Sequence, residues 1–209
     1  MEAASTLAEG ASACNLEESV MPTDVAVEVG VPRPLRADAR RNYDALVSAA
    51  RDAFSEAGTS ASLEDIARRA EVGIGTLYRH FPTRDALVEA VYVEEVASMV
   101  RDAEQIADNE PWHALELWLR RLVTYVSAKR VLIEGLNRES PVLVNCRTLL
   151  HSSGRPILER AQQAGVARAD VPIEDAMRLV QGLAAVAFPS DGDRDRVVGL
   201  AIDGLRASH

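Results

Sequence analysis

"GIGTLYRHF", residues 73–81, crowds two glycines, a threonine, a tyrosine, an arginine and a histidine onto about two helical turns, interleaved with Leu77 and Phe81. On a helical wheel at about 100° per residue, Ile74 and Phe81 fall on the side of Leu77. Gly75 and Arg79 lie near the opposite pole, flanked by Thr76 and Tyr78. Glycine lets a foreign surface approach the backbone closely, at a helix cost of about 0.5–1 kcal/mol relative to alanine. Arginine suits guanine edges and phosphates. Tyrosine and threonine donate to phosphate or pack on a thymine methyl. Such a face fits a major groove, and it also accounts for glycines that would otherwise only weaken the helix. Taken alone, the nine residues leave an ordinary helix surface open as the alternative.

The flanking chain narrows the choice. Tyr43, Leu46, Val47, Ala50 and Phe54 recur at helical spacing, and Gly58 supplies a stop. Ser62 is placed to cap a short helix with Asp65 three residues on, and Leu63, Ile66 and Ala67 face inward. Residues 71–73 make a turn into the helix carrying 74–81. Thr83 then caps a long amphipathic run. Helix, turn and exposed second helix form a helix-turn-helix.

The stretch "SLEDIARRAEVGIGTLYRHFPTRDALVEAVY" (62–92) closely resembles the signature of TetR-family transcriptional repressors. The Ala-x-x-Ala-x-Val-Gly turn, Thr-Leu-Tyr and the Phe-Pro-x-Arg-x-x-Leu lead into the next helix all occur in order, and a looser likeness spans about 37–92. The resemblance implies that Ile74, Gly75 and Thr76 approach base edges. It implies that Tyr78, His80 and Arg84 reach phosphates, Arg84 at a helix N-terminus whose dipole assists, and that Ser62 caps the second helix near the DNA backbone. Arg79 is added from the wheel. Some relatives carry a base at the position of Glu64, and an acid there cannot take a phosphate. Arg33, Arg36, Arg40 and Arg41 fit the arm that some members lay along DNA.

Composition agrees with an all-α fold. The 209 residues are 47% apolar but only 4% aromatic, rich in Ala, Leu and Val, without strand-like alternation. The net charge of −9 argues against indiscriminate polyanion binding. Its spread leaves room for a local cationic patch: residues 1–32 carry six acids and no base, whereas 33–92 balance nine against nine. Cys14 and Cys146, with His80, His113 and His151, show no metal-ligand spacing. Glu94-Glu95 reads as a solvated pair. "GIGTLY" imitates a dinucleotide fingerprint, but Tyr78 occupies the third glycine position and a helix precedes it. No cofactor, metal, membrane span or enzymatic chemistry is expected, and the location expected is the cytoplasm.

The expected organisation is a disordered acidic tail (1–32), a helix-turn-helix DNA-binding domain (33–82) and a helical ligand-binding and dimerisation domain (83–209), about nine helices in all. Trp112, Leu115, Leu119, Leu122 and Val126 form one stripe, widened by Trp118 and Tyr125. A helix from Ser140 is expected to be disturbed at "SSGRP" and to stop at Gly165. Trp118, Leu122, Tyr125, Val144, Arg147, His151 and Gln181 are the candidate walls of an effector cavity, with the aromatics as plain core the competing reading. Ile173, Met177, Val180, Ala184 and Ala187, with Val198, Ile202 and Leu205, are candidate stripes of a two-fold interface, or else a cap on the subunit core. The resemblance implies a homodimer on palindromic double-stranded DNA, released by a small molecule whose identity the sequence does not specify. The alternative is an all-helical binding protein or enzyme with a vestigial DNA-binding domain.

Overall fold

The computed structural model of the chain describes residue 25 and residues 29–31, 33–133 and 139–207. Among these residues it contains eight α-helices: α1 (Ala37–Ala57), α2 (Leu63–Arg69), α3 (Ile74–His80), α4 (Arg84–Ile106), α5 (Pro111–Ile133), α6 (Pro141–Gln163), α7 (Ile173–Ala185) and α8 (Asp191–Asp203). One 3-10 turn, Gly58–Ser60, follows α1.

The first three helices form because their apolar spacing meets at one point. Leu46, Ile66 and Leu77 are fully buried, each supplying about 1.5–3 kcal/mol of burial. Ser62 caps α2 by accepting from the Asp65 amide at 3.3 Å. The helix then ends in a Schellman turn: the amides of Glu71 and Val72 donate to the carbonyls of Arg68 and Ala67 at 3.1 and 3.0 Å. Glu71 takes the left-handed position, φ 57°, where a side chain costs roughly 1 kcal/mol or more. The same turn closes α6 with Gly165 at φ 71°.

Helix α4 starts at the Thr83 cap, whose hydroxyl accepts from the Ala86 amide at 3.1 Å, and it packs on α1, α5 and α6. Glu110 begins α5, its carboxylate accepting from the amides of Trp112 and His113 at 3.2 and 3.0 Å. Those amide bonds, His113 first, hold its carboxyl below the usual range. Arg160 of α6 donates to the carbonyls of Ala107 and Asn109, tying α6 to the α4–α5 turn. Arg206 stacks 4.0 Å over the Trp112 ring.

Three expectations change. The α6 helix runs through "SSGRP" without a break, Pro156 included. Helix α7 stops at Ala185, where Val186 turns extended, so Ala187 lies outside it. Most of segment 1–32 lies outside the described residues, yet Val25 and Val29 are buried in the common core. At those two positions an apolar side chain docks where a disordered tail was expected.

Candidate nucleic-acid interface

The wheel derived from residues 73–81 matches the exposure along α3 except at Ile74. Leu77 and Phe81 are buried, and Phe81 sits 5.0 Å from Tyr43 of α1. The half-buried His80 ring meets Tyr43 edge-on at 6.2 Å, so its orientation is set by α1. The opposite face is open: Tyr78 is 47% exposed, Gly75 and Arg79 are exposed and Thr76 is half-buried. Ile74, which the wheel put beside Leu77, is also 39% exposed, because it is the first residue of α3 and lies past the edge of the core.

The chain's own packing does not require either glycine. Gly73 precedes α3 in ordinary extended backbone, φ −68°, ψ 146°. A β-carbon on Gly73 or Gly75 would meet nothing within 4 Å. Gly73 is the N-cap of α3, a position glycine suits, whereas the bareness of Gly75 on the outer face leaves room for another surface to approach the backbone.

The surrounding charges are partly committed. Arg68 and Arg69 both pair with Asp65, and Arg69 also grips Glu56 with two bonds of 2.9 and 2.8 Å. Hydrogen bonds from Arg68, then Arg69, hold the Asp65 carboxyl low, and Arg69 does the same for Glu56. Ser62 donates to Glu64 at 2.7 Å, which lowers the Glu64 carboxyl and keeps that acid at the cap. Arg36, Arg40, Arg41 and Arg79 are exposed, with Arg40 donating to the Pro34 carbonyl at 3.4 Å. Arg33 reaches Asp44 at 3.1 Å and Glu94 at 3.3 Å, which commits this member of the expected arm to a brace between α1 and α4. Arg84 is half-buried: it donates to the Ala61 carbonyl at 2.7 Å and lies 5.2 Å over the Phe54 ring.

Glu94 and Glu95 are not a solvated pair. Glu94 takes Arg33 and Arg101, and Glu95 takes Arg51 of α1 at 2.8 Å and Lys129 of α5 at 3.3 Å. Two neighbouring carboxylates on α4 thus join the helix-turn-helix to the rest of the chain. Periodicity had no means of showing this, because the cations come from other elements.

The residues grouped as one effector wall divide three ways. Trp118 and Leu122 are fully buried core. Tyr125 lines a cleft between α1, α4 and α5. Val144, Arg147, His151 and Gln181 line a separate groove of about 310 Å³ between α6 and α7. The candidate interface stripes also turn inward. Ile173, Met177, Val180, Ala184, Val198, Ile202 and Leu205 are buried within this one chain, because α7 and α8 pack on α5. Only Ala187 of that set is exposed.

Among the described residues no three His, Cys, Asp or Glu side chains converge to hold a metal ion. No described helix is long and apolar enough to cross a membrane.

A profile described as bacterial regulatory proteins, tetR family, matches residues 46–91. A second, the C-terminal domain of SbtR-like transcriptional regulators, matches residues 110–207. The crystal structure of a TetR transcriptional regulator from Streptomyces coelicolor aligns at 35% identity and TM-score 0.65, over 80% of this chain and 99% of that one. A TetR transcription regulatory protein from Mycobacterium vanbaalenii aligns at 35% identity and TM-score 0.66, over 83% of this chain and 100% of that one. An HTH-type transcriptional regulator of Staphylococcus aureus is 30% identical over 108 residues, 50% of this chain but only 56% of its own length.

Proposed function

The chain belongs to the TetR family of bacterial transcriptional regulators, and from that membership we propose that it is a cytoplasmic, homodimeric repressor released from a palindromic operator by a small molecule. Helix α3 enters the major groove. Ile74, Gly75, Thr76 and Arg79 face base edges, while Tyr78, His80, Arg84 and the arm residue Arg40 serve the phosphates, with the Ser62 cap alongside. The observation that carries this is the bare, outward face of α3, with Gly75 on it, where a β-carbon would meet nothing of the chain itself.

In the dimer the two α3 helices stand about one DNA turn apart, roughly 34–36 Å, and an effector acts by changing that separation. Dimer contact is assigned to the exposed side of α7, where Arg178, Gln181, Gly182 and Ala185 follow i, i+3, i+4, i+7 spacing. Gly182 and Ala185 are small enough for close helix approach.

Fluorescence anisotropy with palindromic duplexes from the protein's own promoter region tests the reading. Binding should persist against non-specific competitor DNA and fall steeply with salt, as phosphate contacts require. A protein without affinity for any such duplex at low salt would instead be a binding protein with a vestigial DNA-binding domain.

A further inference from the structure

An open cleft of about 550 Å³ lies where α1, α4 and α5 meet, a volume within the usual range of small-molecule sites. It is separate from the α5–α6 interior, where the Trp118 ring lies against Gly154. Its floor includes Met99 and Tyr125, both buried. Its polar groups are almost balanced. Arg121 pairs with Asp102, and Arg120 pairs with Glu116 at 2.9 Å. Arg51 and Lys129 share a single oxygen of Glu95, at 2.8 and 3.3 Å. Among the described side chains around the cleft, one positive charge is therefore in surplus. It is also partly withdrawn from water, since the Lys129 side chain is only 11% exposed. A cation in that position gains more from a second anion than a surface lysine would, because its charge is less screened.

We propose that this cleft binds a small amphipathic organic monoanion, its carboxylate between Arg51 and Lys129 and its apolar body on Met99 and Tyr125. The proposal rests on the regulator reading for its consequence. The Arg51–Glu95 pair is a direct link from α1 of the helix-turn-helix to α4. A ligand carboxylate competing with Glu95 for Arg51 loosens that link, while the neighbouring Arg33 brace between Asp44 and Glu94 stays in place. The effector thereby acts at the joint between the DNA-binding helices and the rest of the chain.

Titration calorimetry on the full, DNA-free chain tests this with 2-naphthoate and octanoate as probes and 2-naphthamide as the neutral counterpart. At least one carboxylate should bind saturably, at least tenfold tighter than the amide. Lys129→Met should weaken it at least tenfold. Thr124→Trp, which fills the cleft from an exposed position that holds no ion pair of its own, should abolish it. Arg147→Ala, in the α6–α7 groove, should leave it unchanged. Absence of binding by both carboxylates, or equal binding by the Lys129→Met and Thr124→Trp variants, overturns the site. A parallel anisotropy titration keeps the two readings apart. Carboxylate binding without DNA affinity would sink the regulator, and DNA affinity without carboxylate binding would sink the cleft.

Discussion

Trp118 of α5 lies directly over Gly154 of α6, so close that a β-carbon on Gly154 would stand 2.1 Å from two atoms of the indole ring. Glycine in mid-helix is unfavourable by roughly 1 kcal/mol against alanine, and here the indole occupies the space that a side chain would need. Gly154→Ala should therefore destabilise the protein by about 1–3 kcal/mol, the usual range for overpacking, despite its better helix propensity. In a Trp118→Phe background, where the offending ring atoms are gone, the same substitution should cost distinctly less. Equal losses in both backgrounds, measured by denaturant unfolding, would mean that the two residues are not coupled.

Gly75 is the opposite case, since a β-carbon there meets nothing. Gly75→Ala should leave the free protein folded and up to about 1 kcal/mol more stable, while weakening operator binding at least tenfold. Thermal melting and DNA anisotropy on one preparation check both halves. Unchanged operator affinity would remove Gly75 from the interface.

The helices through α4 were legible in the sequence because each signal is local: the Ser62 and Thr83 caps, the Gly58 stop, and the apolar spacing of Leu46, Ile66 and Leu77. What escaped was non-local. Trp118 could be core or cavity wall until Gly154, thirty-six residues away, placed a bare backbone beneath it. The Glu94-Glu95 pair looked solvated because its partners Arg33, Arg51 and Lys129 lie on three other segments. The stripe of Ile173, Met177 and Val180 has one periodicity whether it is covered by a partner subunit or by α5, and the structure covers it with α5.

Arg84 holds two duties in this reading, and they separate experimentally. Its bond to the Ala61 carbonyl and its stacking on Phe54 brace the helix-turn-helix from within. Arg84→Ala should cost about 1–2 kcal/mol of stability and also weaken binding to all duplexes with a shallower salt slope. Tyr78→Phe should weaken binding without the stability loss, and Thr76 substitutions should change sequence preference. If Arg84→Ala altered stability alone, its guanidinium would be structural only.

Burial pushes the Cys146 thiol up to about 12, with Glu89 contributing less. A folded-state pKa above the unfolded value, about 8.5, gives stability that is present below pH 8.5 and is lost as pH rises toward 12. A Cys14→Ser variant should therefore show no rapid thiol reaction at pH 8 when native and one thiol in denaturant. Its unfolding midpoint should fall between pH 8 and 10 by more than that of the variant also carrying Cys146→Ala. Rapid native labelling would contradict the burial.

The exposed side of α7 and its buried side predict different failures. Val180 is buried against this chain's own core, so Val180→Glu places an unpaired carboxylate in an apolar site and should unfold the subunit. It therefore says nothing about assembly. Ala185 is exposed and belongs to the small-residue track with Gly182, so Ala185→Arg should leave the helical content and melting of the subunit core intact while blocking close approach of a second α7. Sedimentation velocity should then report a dimer for the parent chain and a folded monomer for Ala185→Arg. Because a monomer presents one half-site reader, operator affinity should drop at least a hundredfold while weak half-site binding persists. A folded dimer of Ala185→Arg would move the interface elsewhere, and the exposed α6–α7 groove at Val144 and His151 would be the next surface to substitute.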